Sequence, residues 1–197
     1  MRFATRIPLL VLAATLVAAG IPPRVTAAQP TQPAATTTTP GVIDVRYFYE
    51  APTTIDPTYH TAIWLEDANG KLVKTLYVSQ ELSDKEYKMG NVCPDWVKQA
   101  KWEAAPKNEI AAVTAPTPTV GTGEMSFDLA KLGVAPGTYG FRFQMHVEEE
   151  YNVLYRGEIT VGGPAAGIAL ETVGGPGKPS TTDQFVKDVE VRYLAAK

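Results

Sequence analysis

His60 and His146 are the two imidazoles of the chain, and Cys93 is its single thiol. With the run Glu148-Glu149-Glu150 the histidines are the groups from which a transition-metal site would be built, because imidazole and carboxylate suit such ions. Residues i, i+2 and i+4 of a strand share a face, so His146, Glu148 and Glu150 would line up if their strand continued. That face also carries Arg142 and Gln144 and reads as an ordinary solvated surface, so no metal ligand is assigned. Glu66 and Asp67 form a carboxylate pair, which does acid–base work only when two environments push the pKa values apart. Adjacent strand residues point to opposite faces, and Asp67 reads as a turn former. No G-x-S-x-G elbow surrounds Ser79, Ser83, Ser126 or Ser180. Gly177-Lys178 is followed by Pro179, and Thr172 stands where a phosphate loop needs glycine. No catalytic residue is assigned, and the chain is read as a non-enzyme.

A lone cysteine makes an intrachain disulfide impossible, so the fold must rest on packing. Cys93 is read as buried and inert, the alternatives being a free reactive thiol or a link to another chain. Trp64, Trp96, Trp102 and the tyrosines are assigned to packing, with a ligand groove or protein interface as the alternative use.

These groups need a framework. The stretch Tyr59 to Leu76, YHTAIWLEDANGKLVKTL, reads as a β-hairpin. Tyr59 to Glu66 is rich in strand formers and has apolar groups on both faces, which suits an interior strand. Asp67-Ala68-Asn69-Gly70 is its turn, and Lys71 to Val78 the return strand. Val42 to Glu50 is the first strand, broken by Pro52, Asp56 and Pro57. Leu82 to Tyr87 reads as a helix start with Ser83 as cap, Glu86 reaching back and Leu82 stapled onto Tyr87. Pro94 opens a second short helix, in which Trp96 and Ala100 share a face. This helical insert is expected on one edge of the sheet. Ile110 to Val113 leads into a proline-stiffened loop, Thr114 to Pro118. Further strands are expected at Glu124 to Leu129, Tyr139 to Val147, Tyr151 to Val161 with a bend at Asn152, and Phe185 to Leu194. Gly162 to Ser180 is expected to be a long irregular connection. About seven strands with short turns make an all-β, antiparallel β-sandwich with a short helical insert.

Met1 to Arg6 carries two arginines, Ile7 to Ala19 is almost wholly apolar, and small residues follow near Ala27-Ala28. That is the plan of a secretory signal peptide over residues 1–28. The apolar run is shorter than the roughly 20 residues of a membrane span. Residues 29–41 form a Pro/Thr-rich linker, and 42–197 form the β-sandwich domain. The formal net charge of −3 and 20% charged residues lack the basic stripe of a nucleic-acid binder.

The runs WLEDANGKLVKTL (Trp64 to Leu76), AVTAPTP (Ala112 to Pro118), PGTYGFRF (Pro136 to Phe143) and DVEVRYL (Asp188 to Leu194) resemble domain-of-unknown-function family 2271, predicted periplasmic bacterial proteins. The resemblance runs from Val42 to Lys197. It implies an immunoglobulin-like sandwich, and the hairpin also resembles the flagellar-hook-capping type of immunoglobulin domain. It further implies association with periplasmic redox systems that carry covalent FMN on a loop resembling A-V-T-G-A-T. Here the loop reads Thr114-Ala115-Pro116-Thr117, with Ala115 in place of the glycine, and Thr117 is the candidate cofactor-binding residue. The favoured reading is an exported, non-catalytic binding or accessory module of the bacterial periplasm. It has a periplasmic protein as partner, no nucleic acid, no membrane span after leader removal and no required cofactor. The alternatives are a flavin-associated redox accessory protein and a metal-binding protein.

Overall fold

A computed structural model describes residues 39–50, 58–147, 151–174 and 185–197. The leader, nearly all of the linker, the strand break at 51–57 and the Glu148-Glu149-Glu150 run lie outside the described residues.

The described chain is mostly β and forms two sheets. One sheet has the order β5 (Gly121–Asp128), β1 (Val42–Tyr49), β10 (Val186–Leu194), β8 (Ala166–Gly167). The other has the order β4 (Thr114–Ala115), β3 (Leu72–Ser79), β2 (His60–Glu66), β6 (Gly137–Val147), β7 (Tyr151–Val161), β9 (Glu171–Gly174). Neighbours are antiparallel, except that β4 runs parallel to β3. The expected irregular stretch after Val161 therefore contains β8 and β9, each of which adds an edge. Residues 175–180 of that stretch lie outside the described residues.

Period-two alternation builds the core between the sheets. Ile43, Val45, Tyr47 and Tyr49 from β1 meet Ile63 and Leu65 from β2 and Phe141, Phe143, Met145 and Val147 from β6, all buried. Val153, Ile159 and Val161 of β7 and Val191 and Tyr193 of β10 complete it. Aromatic rings run through the middle. Tyr47 and Tyr49 lie 4.3 Å apart between centroids, Tyr49 and Tyr59 4.6 Å, and Tyr47 and Phe143 5.6 Å. Buried tyrosine hydroxyls need partners. Tyr49 shares a hydrogen bond with Thr61 Oγ1 at 3.0 Å, and Tyr59 donates to the Glu50 carbonyl at 3.0 Å.

The hairpin forms as its residues dictate. Asp67 Oδ1 accepts from the amides of Asn69 (2.8 Å) and Lys71 (3.0 Å), and Gly70 takes φ +74°. Those amides hold the Asp67 carboxyl below its usual pKa. All seven residues of β2 are buried, as an interior strand flanked by β3 and β6 requires. The register with β3 shifts twice, between Ile63 and Trp64 and between Leu65 and Glu66. Strict alternation puts Leu76 and Tyr77 on opposite faces, but the shift lets both enter the core between the sheets.

The insert departs from expectation in three ways. Helix α1 (Gln80–Asp84) follows β3 directly, and Ser83 is not its cap. Ser83 is buried within α1, where its hydroxyl meets Thr114 Oγ1 at 2.9 Å. Helix α2 (Pro94–Ala100) begins at the expected proline, and α3 (Lys107–Val113) occupies the stretch read as the approach to a loop. The insert also does not sit only at an edge. It lies over the outer face of the six-stranded sheet. Val78, Ala62, Trp64 and Leu154 from β3, β2 and β7 form a second core there with Leu82, Val92, Cys93, Trp96, Trp102 and Val113. Trp96 and Trp102 pack at 5.0 Å. Both faces of β2 were apolar because both are covered.

Phe143 is fully buried where the ring stack meets the sheet. Phe143→Ala is expected to cost about 3–5 kcal/mol in urea unfolding with an unchanged m-value. A loss below about 1 kcal/mol would contradict this core assignment.

Candidate functional site

The polar residues under the insert stand in rows that cross the sheet. Backbone register sets His60 opposite His146 and His146 opposite Asn152, giving one row over β2, β6 and β7. The next rows are Ala62, Gln144, Leu154 and then Trp64, Arg142, Arg156. The face holding Arg142, Gln144 and His146 was read as solvated. It is covered: Gln144 is 0% exposed and His146 4%. The sequence pattern alone could not reveal this, since a polar face opposite a core looks the same whether water or a helix meets it.

Two side-chain amides tie the insert to this face. Gln144 Oε1 accepts from the backbone amides of Asp95 and Trp96, each at 3.2 Å, and its Nε2 donates to Asp95 Oδ2 at 2.6 Å. These contacts satisfy amides at the start of α2, which no side chain of its own caps. Asn152 Oδ1 accepts from the Cys93 amide at 3.2 Å, and its Nδ2 donates to the Asn91 carbonyl at 2.7 Å. Cys93 takes a left-handed conformation, φ 44°, which a residue with a Cβ seldom adopts. Asn152 holds the backbone at this turn. The expected bend at Asn152 is instead a strand position with a buried side chain.

A third attachment surrounds Glu66. Its carboxylate pairs with Arg142 at 2.7 Å and accepts from Trp64 Nε1 at 2.8 Å and Gln99 Nε2 at 2.9 Å. Gln99 Oε1 in turn accepts from the Leu72 amide at 2.8 Å. Arg142 and Arg156 face each other across β6 and β7, an unfavourable like-charge pairing that Glu66 and Glu171 offset. Glu66 is thus a buried structural anion, and Asp67 a turn former. The two do not form an acid–base pair.

The histidines sit beside each other with ring centroids 5.7 Å apart. His60 Nε2 is 3.7 Å from Glu81 Oε2, and Asn152 hydrogen-bonds the His146 imidazole. Nδ1 of each ring is buried without a partner among the described residues. Burial lowers both pKa values, and the neighbouring His60 adds to the effect on His146, which falls to about 4. Both rings are therefore neutral at neutral pH. Among the described residues no three His, Cys, Asp or Glu side chains group as metal ligands. Cys93 is fully buried, and its Sγ lies 3.4 Å from the His60 carbonyl. Burial above all pushes its pKa far up, with Asp95 adding to the shift, so the thiol stays protonated. This matches the inert reading.

Thr117 lies elsewhere, beside β3 and α1. Its Oγ1 accepts from the Glu81 amide in the first turn of α1 at 3.2 Å. The preceding Pro116 carbonyl accepts from Tyr77 at 2.8 Å, and Thr114 is bonded to Ser83 and to the Ile110 carbonyl. The loop is used to fasten the insert to the sheet edge. An FMN ester on Oγ1 would have to share or displace this contact with the Glu81 amide.

A model of predicted periplasmic proteins, domain-of-unknown-function family 2271, matches residues 45–175. The chain belongs to this family. The family 2271 match begins within β1 and ends just beyond β9, so it spans the insert and leaves out β10. The resemblance seen in DVEVRYL thus lies outside the matched region, although β10 pairs with β1 along most of its length. No curated protein and no solved structure matches the chain. No helix among the described residues is long and apolar enough to cross a membrane.

The sequence singles out His60, His146 and Cys93, while Gln144 was read on a solvated face, Asn152 at a bend, and Gln99 was not picked out. The available signal was spacing: Gln144 stands two residues before His146 on a strand whose other face is wholly apolar.

Two outcomes follow. Gln144→Ala strands two buried amides and is expected to cost about 1–3 kcal/mol in chemical unfolding. A change below about 0.5 kcal/mol would remove Gln144 from this role. The second concerns acid. A histidine whose folded pKa is depressed binds fewer protons folded than unfolded, so its contribution is intact above pH ~6.5 and lost as pH falls toward ~4. Stability should drop by up to about 3 kcal/mol over that window through His146. The loss should be smaller in His146→Gln; an equal loss in the variant would contradict this assignment.

Proposed function

We propose that this family 2271 protein is a non-catalytic binding or accessory module of the periplasm. The supporting observation is the contrast between the two outer sheet faces. The six-stranded sheet hides its chemically versatile groups beneath the insert. On the outer face of the four-stranded sheet, which no described residue covers, a groove of about 360 Å³ is lined by Asp44, Arg46, Glu124, Ser126, Glu190 and Arg192. Register arranges these charges in alternating rows, Glu124–Arg46–Glu190 and Ser126–Asp44–Arg192. Arg46 and Glu124 are 3.5 Å apart, Arg192 and Glu190 3.1 Å, and Ser126 donates to Asp44 at 2.7 Å. Exposed pairs of this kind add little stability, so their ordered pattern is well suited to complementary charge on a protein partner. Two sheets with a common core also support the immunoglobulin-like reading, in which a rigid sandwich presents a recognition surface. In the same reading residues 1–28 are a removable leader and 29–41 a tether.

A photo-crosslinking residue at position 126 in the periplasm tests this. It should give a discrete protein adduct that Arg46→Ala/Arg192→Ala reduces at least about tenfold without lowering Tm. A turnover abolished by a single polar substitution would overturn the non-catalytic reading. The proposal includes no covalent flavin. Co-expressed with a flavin transferase, the protein should keep its polypeptide mass. An FMN-sized increment lost in Thr117→Ala would favour the flavin-carrying alternative.

A further inference from the structure

The histidine row gives the insert a property that its packing alone would not. His60 and His146 are adjacent, both lie under the insert, and both have a buried Nδ1 with no acceptor facing it among the described residues. A proton added at either Nδ1 creates a donor, and a charge, with nothing to receive it. A second proton would set two cations side by side, with rings 5.7 Å apart. The sheet cannot yield easily, because β2 and β6 are interior strands bonded on both sides. The insert can yield more readily, because side-chain contacts and apolar packing, and no strand ladder, join it to this face of the sheet. We propose that protonation of the His60–His146 pair releases the segment from α1 through α2 from the outer face of the six-stranded sheet while the two-sheet core stays folded.

The groups facing the pair are few. From α1 and the turn after it come Glu81, near His60 Nε2, with Glu86 and Lys85. Glu81 and Glu86 favour protonation and Lys85 opposes it. The Asn91–Cys93 turn contributes the protonated thiol of Cys93, and β7 contributes the neutral Asn152. Asp95 of α2 is held by Gln144, two residues from His146. Glu148, Glu149 and Glu150, next in sequence, lie outside the described residues. Glu81 is half exposed, and no carboxylate contact to either Nδ1 occurs among the described residues. Release lets both rings reach water, which is why acid favours the open form.

Cys93 reports on this motion. It is the only cysteine of the chain, it is fully buried, and it lies in the segment that would lift. The experiment labels the full mature protein with a dipyridyl disulfide, a reagent that thiols attack even in acid because its pyridine leaving group is protonated, between pH 7.5 and 4.5. Rates are divided by that of a free thiol at each pH, and amide exchange of β1 and β10 is followed in parallel. Labelling should accelerate at least about tenfold at pH 4.5, while β1 and β10 amides stay protected. The acceleration should vanish in His60→Leu/His146→Leu, or fall in His146→Gln if the double variant does not fold. An acceleration that persists in the folded histidine variants would overturn the proposal. So would a wild-type rate that does not rise, or loss of β1 and β10 protection at the same pH.

Discussion

Gln144 and Asn152 join two parts of the molecule that the β pattern by itself would leave separate. Each is an uncharged amide on the outer face of the six-stranded sheet, and each uses both its acceptor and its donor on the backbone or side chains of the insert. Buried amides left alone would cost the insert its position; fully bonded, they fix it to one register of the sheet. The apolar contacts of Trp64, Trp96 and Leu154 then have a defined geometry in which to form. From this follow the coverage of both faces of β2, the sealing of Cys93 and the burial of the two histidines.

The inter-sheet core depends on simpler rules. Apolar residues at every second position of β1, β6 and β7 account for most of it. The four-stranded sheet has one face in the core and one that no described residue covers, and this second face carries paired charges at the positions between. The family 2271 match extends across the insert as well as the strands. Within this chain, then, the covering of one sheet face is part of the matched region and not an appendage to it.

The elements that were legible are those governed by local chemistry. Asp67-Ala68-Asn69-Gly70 makes its turn through its own side chain and glycine, and Tyr139 to Val147 alternates without interruption. Pro94 opens α2 because a proline costs nothing at a first helical position. What escaped depended on distant partners. Ser83 has the form of a helix cap but lies inside α1, held by Thr114 from 31 residues away. The bulged pairing of β2 with β3 is a property of two strands and leaves no mark on either. The hydrogen bond from the Glu81 amide to Thr117 Oγ1 likewise joins residues 36 apart and left no mark in the sequence. The polar face at Arg142, Gln144 and His146 misled for the same reason: polarity there serves buried hydrogen bonds and not solvent.

The account stands on the insert being an integral layer of the fold. Native-state amide exchange at neutral pH reads this directly at Cys93 and Trp96, whose amides are bonded to Asn152 and Gln144. Protection within about tenfold of the β2 and β6 amides is the expected result. Exchange at these two amides as fast as in an unstructured peptide, with the sheet still protected, would show that the insert does not seal the face and would contradict the account.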